Sequence, residues 1–374
     1  MNKIYLDNAS TTSIRPEVIQ EMTNVLQTDF GNPSSTHSFG RGSKVILESA
    51  RKSIAKQLNC SAQEIIFTSS GSEANNWILR NAVTKMGVKR IISTKIEHHA
   101  VLYPILELQK EFGIEVEFLT ILFSGQIDYL QLATLLEDPK PTLVSLMHVN
   151  NETGVVLDLN RVGELCKRFN AHFHSDTVQS IGKTEIDLQE MQIDFLVASA
   201  HKFHGPKGIG FAYVKKNSPI SPMIFGGEQE KGLRAGTEAV HQIAGMAKAL
   251  EIAYQNLDVE RNAIFELKKY TIKKLMKQFP TIKFNGGVET FYSILNIQLP
   301  FAPEKTTLIL FEMDLKGIAA SRGSACQSGS IKPSHVLAEI LSEEELKKPS
   351  IRISFNHQNT REEIDYFVSC LAAM

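Results

Sequence analysis

The amino-acid sequence predicts an α/β fold, in which a large domain with a mostly parallel sheet flanked by helices precedes a smaller α+β C-terminal domain. From about residue 60 to residue 215, short apolar runs alternate with longer stretches of helical periodicity. This alternation is typical of a parallel sheet covered by helices on both faces. After Val214 it stops, and a Gly-rich loop leads into two long helical patterns at 237–256 and 258–279.

The elements of the large domain follow from apolar periodicity. Strands are predicted at 65–67, 90–92, 116–119, 143–146, 172–174 and 195–197, and helices at 73–86, 100–112, 128–137 and 160–169. In the C-terminal part, strand-like runs are predicted at 294–299, 318–320 and 351–354, and helices at 303–313 and from Thr360. We therefore expect a large domain at 13–257, and a small domain formed by 1–12 and 258–374, which would carry the run around Cys326.

Composition narrows the class of protein. The 374 residues are 43% hydrophobic, and 40 basic against 41 acidic side chains leave a formal charge of −1. A near-zero charge without a long basic run argues against a nucleic-acid surface or a polybasic membrane anchor. No apolar run approaches the roughly 20 residues of a membrane helix, and the first residues lack the pattern of a signal peptide. We expect a cytoplasmic protein whose partner is a small molecule.

Polar residues with chemical potential follow three predicted strands. Lys202 follows the strand at 195–197, Asp176 ends the preceding one, and the run TSSGSE at 68–73 joins a strand to a helix. A strand end is where α/β sheets place ligands. Lys202 is suited to imine formation with a carbonyl, Asp176 to binding a protonated pyridine nitrogen, and the run at 68–73 to cradling a phosphate. Each also has an ordinary explanation: a solvated lysine, a capping aspartate and a helix cap.

Two further groups of residues are candidates for reactive sites. The pair His172 and His174 could bind a metal from one strand face, but no suitable third ligand is evident and we expect no metal. Cys326 lies in a Gly/Ser-rich run at about 321–333 that is typical of a mobile loop, so we expect an exposed, reactive thiol. Cys166 and Cys370 fall on apolar helix faces and are interpreted as core residues, and Cys60 is assigned no role.

The chain also resembles a known family. Besides the three strand-end groups, the resemblance rests on YLDNASTT at 5–12, FGNPSS at 30–35, EHHAVL at 97–102, HVNNETG at 148–154, RAGT at 234–237 and GSAC at 323–326. These ordered motifs resemble the fold-type I pyridoxal-phosphate enzymes of the class-V aminotransferase superfamily, and within them the NifS/IscS-like cysteine desulfurases. The resemblance implies pyridoxal 5'-phosphate as cofactor, L-cysteine as substrate and L-alanine as product.

The resemblance assigns a role to each matching residue. It implies that Lys202 bonds the cofactor as an imine, that Asp176 pairs with the pyridine nitrogen, and that His98 stacks on the ring and carries protons. The remaining cofactor contacts that it implies are Gly71, Ser72, Ser199 and His201 at the phosphate, Thr237 from a neighbouring subunit, and Asn151 and Gln179 at the 3-oxygen. It also implies that Arg352, assisted by Asn32, binds the substrate carboxylate, and that Cys326 takes up the sulfur as a persulfide.

The long spacing from Cys326 to Arg352, 26 positions (352 − 326), resembles the family members that deliver sulfur to acceptor proteins. Arg322 and Gln327 depart from the family pattern near Cys326 and leave the acceptor open between iron–sulfur cluster assembly and tRNA thiolation.

We expect a homodimer. The alternatives are a selenocysteine lyase or an aminotransferase-like reaction, in which Cys326 would be dispensable, and a non-catalytic sulfur-relay scaffold.

Overall fold

A seven-stranded sheet is the largest sheet of the computed structural model, which describes residues 3–322 and 333–374. The strands of the molecule are β1 (Ile4–Tyr5), β2 (Ile65–Thr68), β3 (Arg90–Ser93), β4 (Glu115–Phe118), β5 (Thr142–Ser145), β6 (His172–Asp176), β7 (Phe195–Ser199), β8 (Gly210–Val214), β9 (Lys283–Phe284), β10 (Ile294–Gln298), β11 (Ile318–Ala319) and β12 (Ser350–Ser354). The large sheet has the order β2-β8-β7-β6-β5-β3-β4. Strands β7, β6, β5, β3 and β4 run parallel, whereas β8 is antiparallel to both its neighbours.

The parallel pairing brings chemically useful residues to one edge of the sheet. In the register of β6 and β7, Asp176 lies opposite Val197, two residues before Ser199 ends its strand. Because parallel strands present their carboxyl ends at the same edge, Asp176 and the segment after Ser199 come together there.

Helices cover this sheet. They are α1 (Pro16–Thr28), α2 (Ser38–Gln57), α3 (Gly71–Thr84), α4 (His99–Phe112), α5 (Tyr129–Leu136), α6 (Leu159–Arg168), α7 (Val240–Gln255), α8 (Leu257–Gln278), α9 (Ile309–Leu315), α10 (His335–Ala338), α11 (Glu343–Lys347) and α12 (Arg361–Ala372). Helices α1 and α2 pack against α7, and α3 packs against α4. The approach of α1 to α7 depends on Gly245, where a Cβ atom would lie 2.6 Å from Met22. None of the helices in the described ranges is long and apolar enough to cross a bilayer.

A separate hydrophobic core belongs to the C-terminal part. Strands β12, β10 and β9 form an antiparallel sheet, and β1 pairs in parallel with β11. The core beside them joins Ile4 and Leu6 to apolar side chains between Ile264 and Leu371, whereas the main core runs from Val18 to Ile252. We propose domain boundaries that follow these cores, at 13–257 and at 1–12 with 258–374.

The fold class is confirmed, and so are the six predicted strands of the large domain. Strands β1, β8 and β9 and helices α1, α2, α10 and α11 were not predicted from the sequence. The prediction of one helix over 303–313 is wrong, because the structure has a 3₁₀ turn at Pro303–Thr306 before α9 begins. The hydroxyl of Thr306 donates to the carbonyl of Lys347, 41 positions later, so a long-range contact holds the end of this turn.

Candidate active site

Lys202 lies one turn beyond the end of β7, at the end of the 3₁₀ turn Ala200–Lys202. Its Nζ donates to the carbonyls of Ala9 (2.7 Å) and Ser10 (2.8 Å), in the segment that follows β1. The side chain of Thr12 donates to the carbonyl of His201 (2.9 Å). The N-terminal segment therefore lies over the lysine and fixes the backbone next to it.

Asp176 is the last residue of β6 and is only 8% exposed. Its Oδ2 accepts a hydrogen bond from Nδ2 of Asn75 (2.8 Å), and its Oδ1 accepts one from the backbone N–H of Val178 (3.0 Å). Donors on both oxygens stabilise the ionised carboxylate and fix its plane. The negative charge of Asp176 and the positive charge of Lys202 both act on His98. The structure thus brings these three predicted residues into one site.

His98 caps the N-terminus of α4, and its Nδ1 accepts the backbone N–H of Ala100 (3.1 Å). Burial lowers the pKa of this imidazole, with Asp176 opposing the effect and Lys202 adding to it. A neutral ring whose Nδ1 accepts a hydrogen bond carries its proton on Nε2. Proton uptake at Nδ1 of His98 therefore requires the bond to Ala100 to break.

The predicted phosphate site lies where β7 meets the N-terminus of α3. The backbone N–H of Gly71 donates to Oγ of Ser199 (2.7 Å), while Ser72 is exposed in the first turn. A Cβ atom on Gly71 would lie 2.6 Å from Val178 and 3.3 Å from the Ser199 hydroxyl, so glycine is needed for the close packing of α3 against the residues after β6 and at the end of β7. Burial, and to a smaller extent the positive charge of Lys202, lowers the pKa of His201 to about 4. A neutral His201 is therefore a hydrogen-bonding group here and not a counter-charge.

Arg352 lies in β12 and is 1% exposed. Its Nη2 donates to the carboxylate of Asp7 (2.8 Å) and to the hydroxyl of Ser10 (2.7 Å), and its Nη1 donates to the carbonyl of Asn151 (2.7 Å). Its Nε, also buried, has no hydrogen-bond partner among the described residues. Asp7, which the sequence analysis gave no role, balances this buried charge and ties β12 to the segment that covers Lys202.

Of the other predicted site residues, Gln179 lies near Lys202, whereas Asn32 and Thr237 lie on exposed loops. Gln179 points its Nε2 at the carbonyl of Ala9 (2.8 Å), which places it beside the Lys202 contacts. Asn32 and Thr237 are exposed on loops, and the Oδ1 of Asn32 accepts the N–H of Ser34 (2.9 Å) within its own turn. Cys326 and the neighbouring Gln327 lie outside the described residues.

The described cysteines match their interpretation as structural residues. Cys166 and Cys370 are buried, and burial raises the pKa of the Cys166 thiol. Cys60 is half-buried between α2 and β2, where burial and Glu64 raise its thiol pKa to about 12. Because a thiolate is the reactive form, Cys60 and Cys166 are unsuited to sulfur transfer.

Asn75 is a site residue that the sequence reasoning missed. It lies in α3, four positions after Gly71, and bridges Asp176 to the fully buried His174. His174 therefore uses Nε2 toward Asn75 and Nδ1 toward Ser145 (2.9 Å), which leaves neither nitrogen for a metal. No local pattern marks Asn75, because its importance depends on a strand that is about 100 residues away.

This constellation, a lysine and an aspartate at adjacent strand ends with a helix N-terminus between them, defines an α/β enzyme that binds an anionic ring cofactor. Comparison with known proteins agrees: the model of the aminotransferase class-V family matches residues 4–367, and the chain belongs to this family. It is 40% identical over 375 residues to "Cysteine desulfurase IscS" of Clostridium botulinum (strain Kyoto / Type A2), covering 99% of this chain and 94% of that protein.

Two further similarities point the same way. The chain is 39% identical to "Putative cysteine desulfurase IscS 1" of Bacillus subtilis (strain 168), covering 97% of this chain and 96% of the relative. A solved "NIFS-like protein" superposes with a TM-score of 0.91 at 33% identity, covering 99% of this chain and 98% of that one. Fold and sequence similarity therefore extend over nearly the whole molecule.

The residues present fit pyridoxal 5'-phosphate, the cofactor of this family. An amine for the aldehyde, a carboxylate for the ring nitrogen and a helix N-terminus for the phosphate are all found at one sheet edge. Ser72, in the first turn of that helix, is exposed.

Proposed function

We propose that this protein is a cysteine desulfurase, which converts L-cysteine to L-alanine and transfers the sulfur through a persulfide on Cys326. The observation that carries the proposal is the meeting of Lys202, Asp176 and His98 in a chain similar to cysteine desulfurases over its full length. Sulfur transfer requires a free catalytic thiol, which suits a reducing compartment such as the cytoplasm.

The chain's own residues divide the work. Pyridoxal phosphate, when bound, withdraws electrons from the substrate's α-carbon and so acidifies its proton. We assign Lys202 to bind the aldehyde and, after the substrate's amine has displaced it, to take the α-proton at its freed Nζ; Asp176 would hold the ring nitrogen protonated. His98 covers the ring face, and Asn151 and Gln179 serve the 3-oxygen. Gly71, Ser72, Ser199 and His201 hold the phosphate, as the resemblance implies.

Substrate binding and sulfur transfer complete the assignment. Arg352, assisted by Asn32, binds the substrate carboxylate. In the structure the guanidinium of Arg352 contacts the carboxylate of Asp7. The thiolate of Cys326 bonds to the substrate's sulfur while the bond from that sulfur to Cβ breaks. The electron pair of the broken bond stays with the carbon skeleton, which takes up protons and leaves as alanine, and the sulfur stays on Cys326 as a persulfide.

The decisive experiment is alanine production by Cys326→Ser, with Cys60→Ser as the matched control. Cys326→Ser should change the visible spectrum of the holoenzyme when cysteine is added, because the cofactor and substrate contacts remain. It should release almost no alanine, whereas Cys60→Ser should retain wild-type turnover. Wild-type alanine production by Cys326→Ser would contradict the proposal and favour a lyase reaction that does not need this thiol, whereas loss of the amino group with the sulfur retained would favour an aminotransferase reaction.

The partners proposed for the protein are a second copy of the chain and a sulfur-accepting protein. Thr237 is exposed within one chain, in agreement with a role at the phosphate of a neighbouring subunit. Its segment is held by a bidentate pair of Arg234 with Glu73, 2.9 Å at its shorter contact, at the start of α3. The segment that would cross between subunits is thus attached to the helix that carries the phosphate site.

A further inference from the structure

A chain of buried hydrogen bonds leads from the middle of the sheet to Asp176. Oγ of Ser145, at the end of β5, lies 2.9 Å from Nδ1 of His174 in β6. Nε2 of His174 lies 3.1 Å from Oδ1 of Asn75, and Nδ2 of Asn75 lies 2.8 Å from Oδ2 of Asp176. Ser145, His174 and Asn75 have no exposed surface, so water does not replace any of these contacts.

Chemistry fixes the direction of every link. An ionised carboxylate only accepts hydrogen bonds, so the NH₂ group of Asn75 faces Asp176 and its Oδ1 faces His174. Burial lowers the pKa of His174 to about 4, so its ring is neutral and carries one proton, which must lie on Nε2 toward Asn75. Nδ1 is then an acceptor, and the hydroxyl of Ser145 donates to it. Each link has one donor and one acceptor.

The arrangement explains why Asn75 is an amide. A carboxylate at this position would face Asp176 with oxygen against oxygen, and a purely apolar side chain would leave Nε2 of His174 and Oδ2 of Asp176 without the bonds that Asn75 makes to them in a dry interior. Asparagine is the residue of this size that accepts from one neighbour and donates to the other. Through these bonds Asn75 fixes the carboxylate of Asp176 relative to His174 and Ser145.

We propose that Asn75 is a positioning residue of this enzyme, which together with His174 fixes the orientation and the charge of Asp176 for binding the pyridine nitrogen of the cofactor. The inference rests on the proposed role of Asp176 and deepens it. It gives His174 a structural purpose in the site, and it adds a residue of α3 whose side chain acts through Asp176 without contacting the substrate.

The test measures the dissociation constant of pyridoxal phosphate for the full-length, cofactor-free protein. Asn75→Leu should weaken binding about 10- to 100-fold, the effect of losing a hydrogen bond to a charged group. Asn75→Asp should weaken it as well while still accepting from Nε2 of His174. The matched control is Asn76→Leu, since Asn76 is exposed on the same helix and its Nδ2 donates to the carbonyl of Ser72.

A second measurement does not depend on the cofactor. Nitrogen-15 NMR of the cofactor-free protein should show His174 as a neutral ring protonated on Nε2 in the wild type and in Asn75→Asp. In Asn75→Leu the ring of His174 should be a mixture of the two neutral tautomers, with the proton on Nδ1 in one and on Nε2 in the other. Thermal unfolding checks that each variant is folded; if Asn75→Leu does not fold, Asn75→Asp decides.

Wild-type affinity in a folded Asn75→Leu or Asn75→Asp would overturn the inference, and so would a wild-type His174 proton on Nδ1. Asp176→Asn separates this failure from that of the proposed function. If Asp176→Asn binds the cofactor weakly while the Asn75 variants bind normally, only the positioning role is wrong. If Asp176→Asn also binds normally, the assignment of Asp176 is wrong.

Discussion

The histidines around the site are neutral at physiological pH because burial penalises the imidazolium form. Burial lowers the pKa of His98, and it lowers the pKa values of His174 and His201 to about 4. The positive charges that face an anionic cofactor and an anionic substrate therefore belong to Lys202 and Arg352. Neutral imidazoles act here through hydrogen bonds and flat surfaces.

Lys202 is expected to bond the cofactor covalently. Lys202→Ala should still bind pyridoxal phosphate, because the phosphate and ring contacts remain, but should turn over no cysteine. Borohydride reduction of the wild-type holoenzyme, followed by peptide mass spectrometry, should find the cofactor on Lys202. Lys207→Ala serves as the control, since Lys207 is an exposed lysine five positions away. Recovery of the label on Lys207 would reject the assignment.

Glu97 should make the stability of the protein depend on pH. Burial, and the charge of Asp176, raises the pKa of this carboxyl to about 8 from an ordinary value of 4.5. The folded state therefore keeps a proton that the unfolded state loses, so the stabilisation is complete below pH 4.5 and disappears as the pH rises through 8. The contribution of Glu97 falls by up to about 1.4 kcal/mol per pH unit in this window.

Glu97→Gln tests this expectation, because glutamine resembles the protonated acid and can still accept the N–H of Met147. Denaturant unfolding of the cofactor-free protein at pH 5, 7 and 9 should show a flatter pH profile for this variant than for the wild type. Glu107→Gln, on the exposed face of α4, should follow the wild type. Parallel profiles for wild type and Glu97→Gln would show that Glu97 is ionised in the folded protein.

Site residues were predictable from the sequence where chemistry coincides with a strand end. Lys202 and Asp176 meet that condition, and the register of β6 with β7 brings them together. Asn75 and Asp7 do not, because the groups they contact are about 100 and 345 residues away in the chain. Such residues become visible only when the fold supplies their partners.

At the scale of elements, the segment at 225–239 has an unusual backbone. Glu230, Lys231 and Gly232 all have positive φ (47°, 60° and 75°), a conformation that costs energy in residues other than glycine. The side chain of Glu230 offsets the cost. It accepts from both Nη atoms of Arg51 (2.7 and 2.8 Å) and from the N–H of Phe67 (2.8 Å). Composition indicated a loop here but not this buried pair.

Glu230→Gln should destabilise the protein by about 3 kcal/mol, because the buried Arg51 would lose its bidentate carboxylate partner and keep the longer, 3.3 Å ion pair of its Nε with Glu48. The measurement is the free energy of unfolding in denaturant. Glu111→Gln removes a bidentate pair of similar geometry with Arg80 on the surface and should have little effect. Equal small losses in the two variants would mean that the Arg51 pair does not hold the segment.

At the scale of the whole molecule, six strands of the large sheet were predictable from the sequence, whereas β8, α1 and α2 were not. Local periodicity marks a buried strand, since its residues share one environment. The direction of β8 depends on where the chain returns after Lys202, and the positions of α1 and α2 depend on contacts with α7, more than 180 residues later in the chain. Long-range packing of this kind leaves no local signal.

We expect the protein to form a homodimer, and an exposed apolar patch around the connection between α1 and α2 supports this expectation. Phe30 and Phe39 are 77% and 57% exposed, and their ring centroids lie 5.2 Å apart. Phe225, 83% exposed, begins the segment that leads to Thr237. Exposed aromatic side chains grouped in this way are typical of an interface, and twofold pairing is the commonest symmetry.

Phe30→Glu should therefore shift the protein toward monomer in light scattering and accelerate cofactor loss, because Thr237 of the second subunit would leave the phosphate site. Phe123→Glu is the matched control: Phe123 is 96% exposed in the connection between β4 and α5, away from these segments in the chain, and its replacement should change neither mass nor cofactor retention. A wild-type protein that scatters as a monomer with full activity would refute the dimer. A monomeric Phe30→Glu that keeps its cofactor would instead confine the error to Thr237, since pairing and cofactor binding would then be independent.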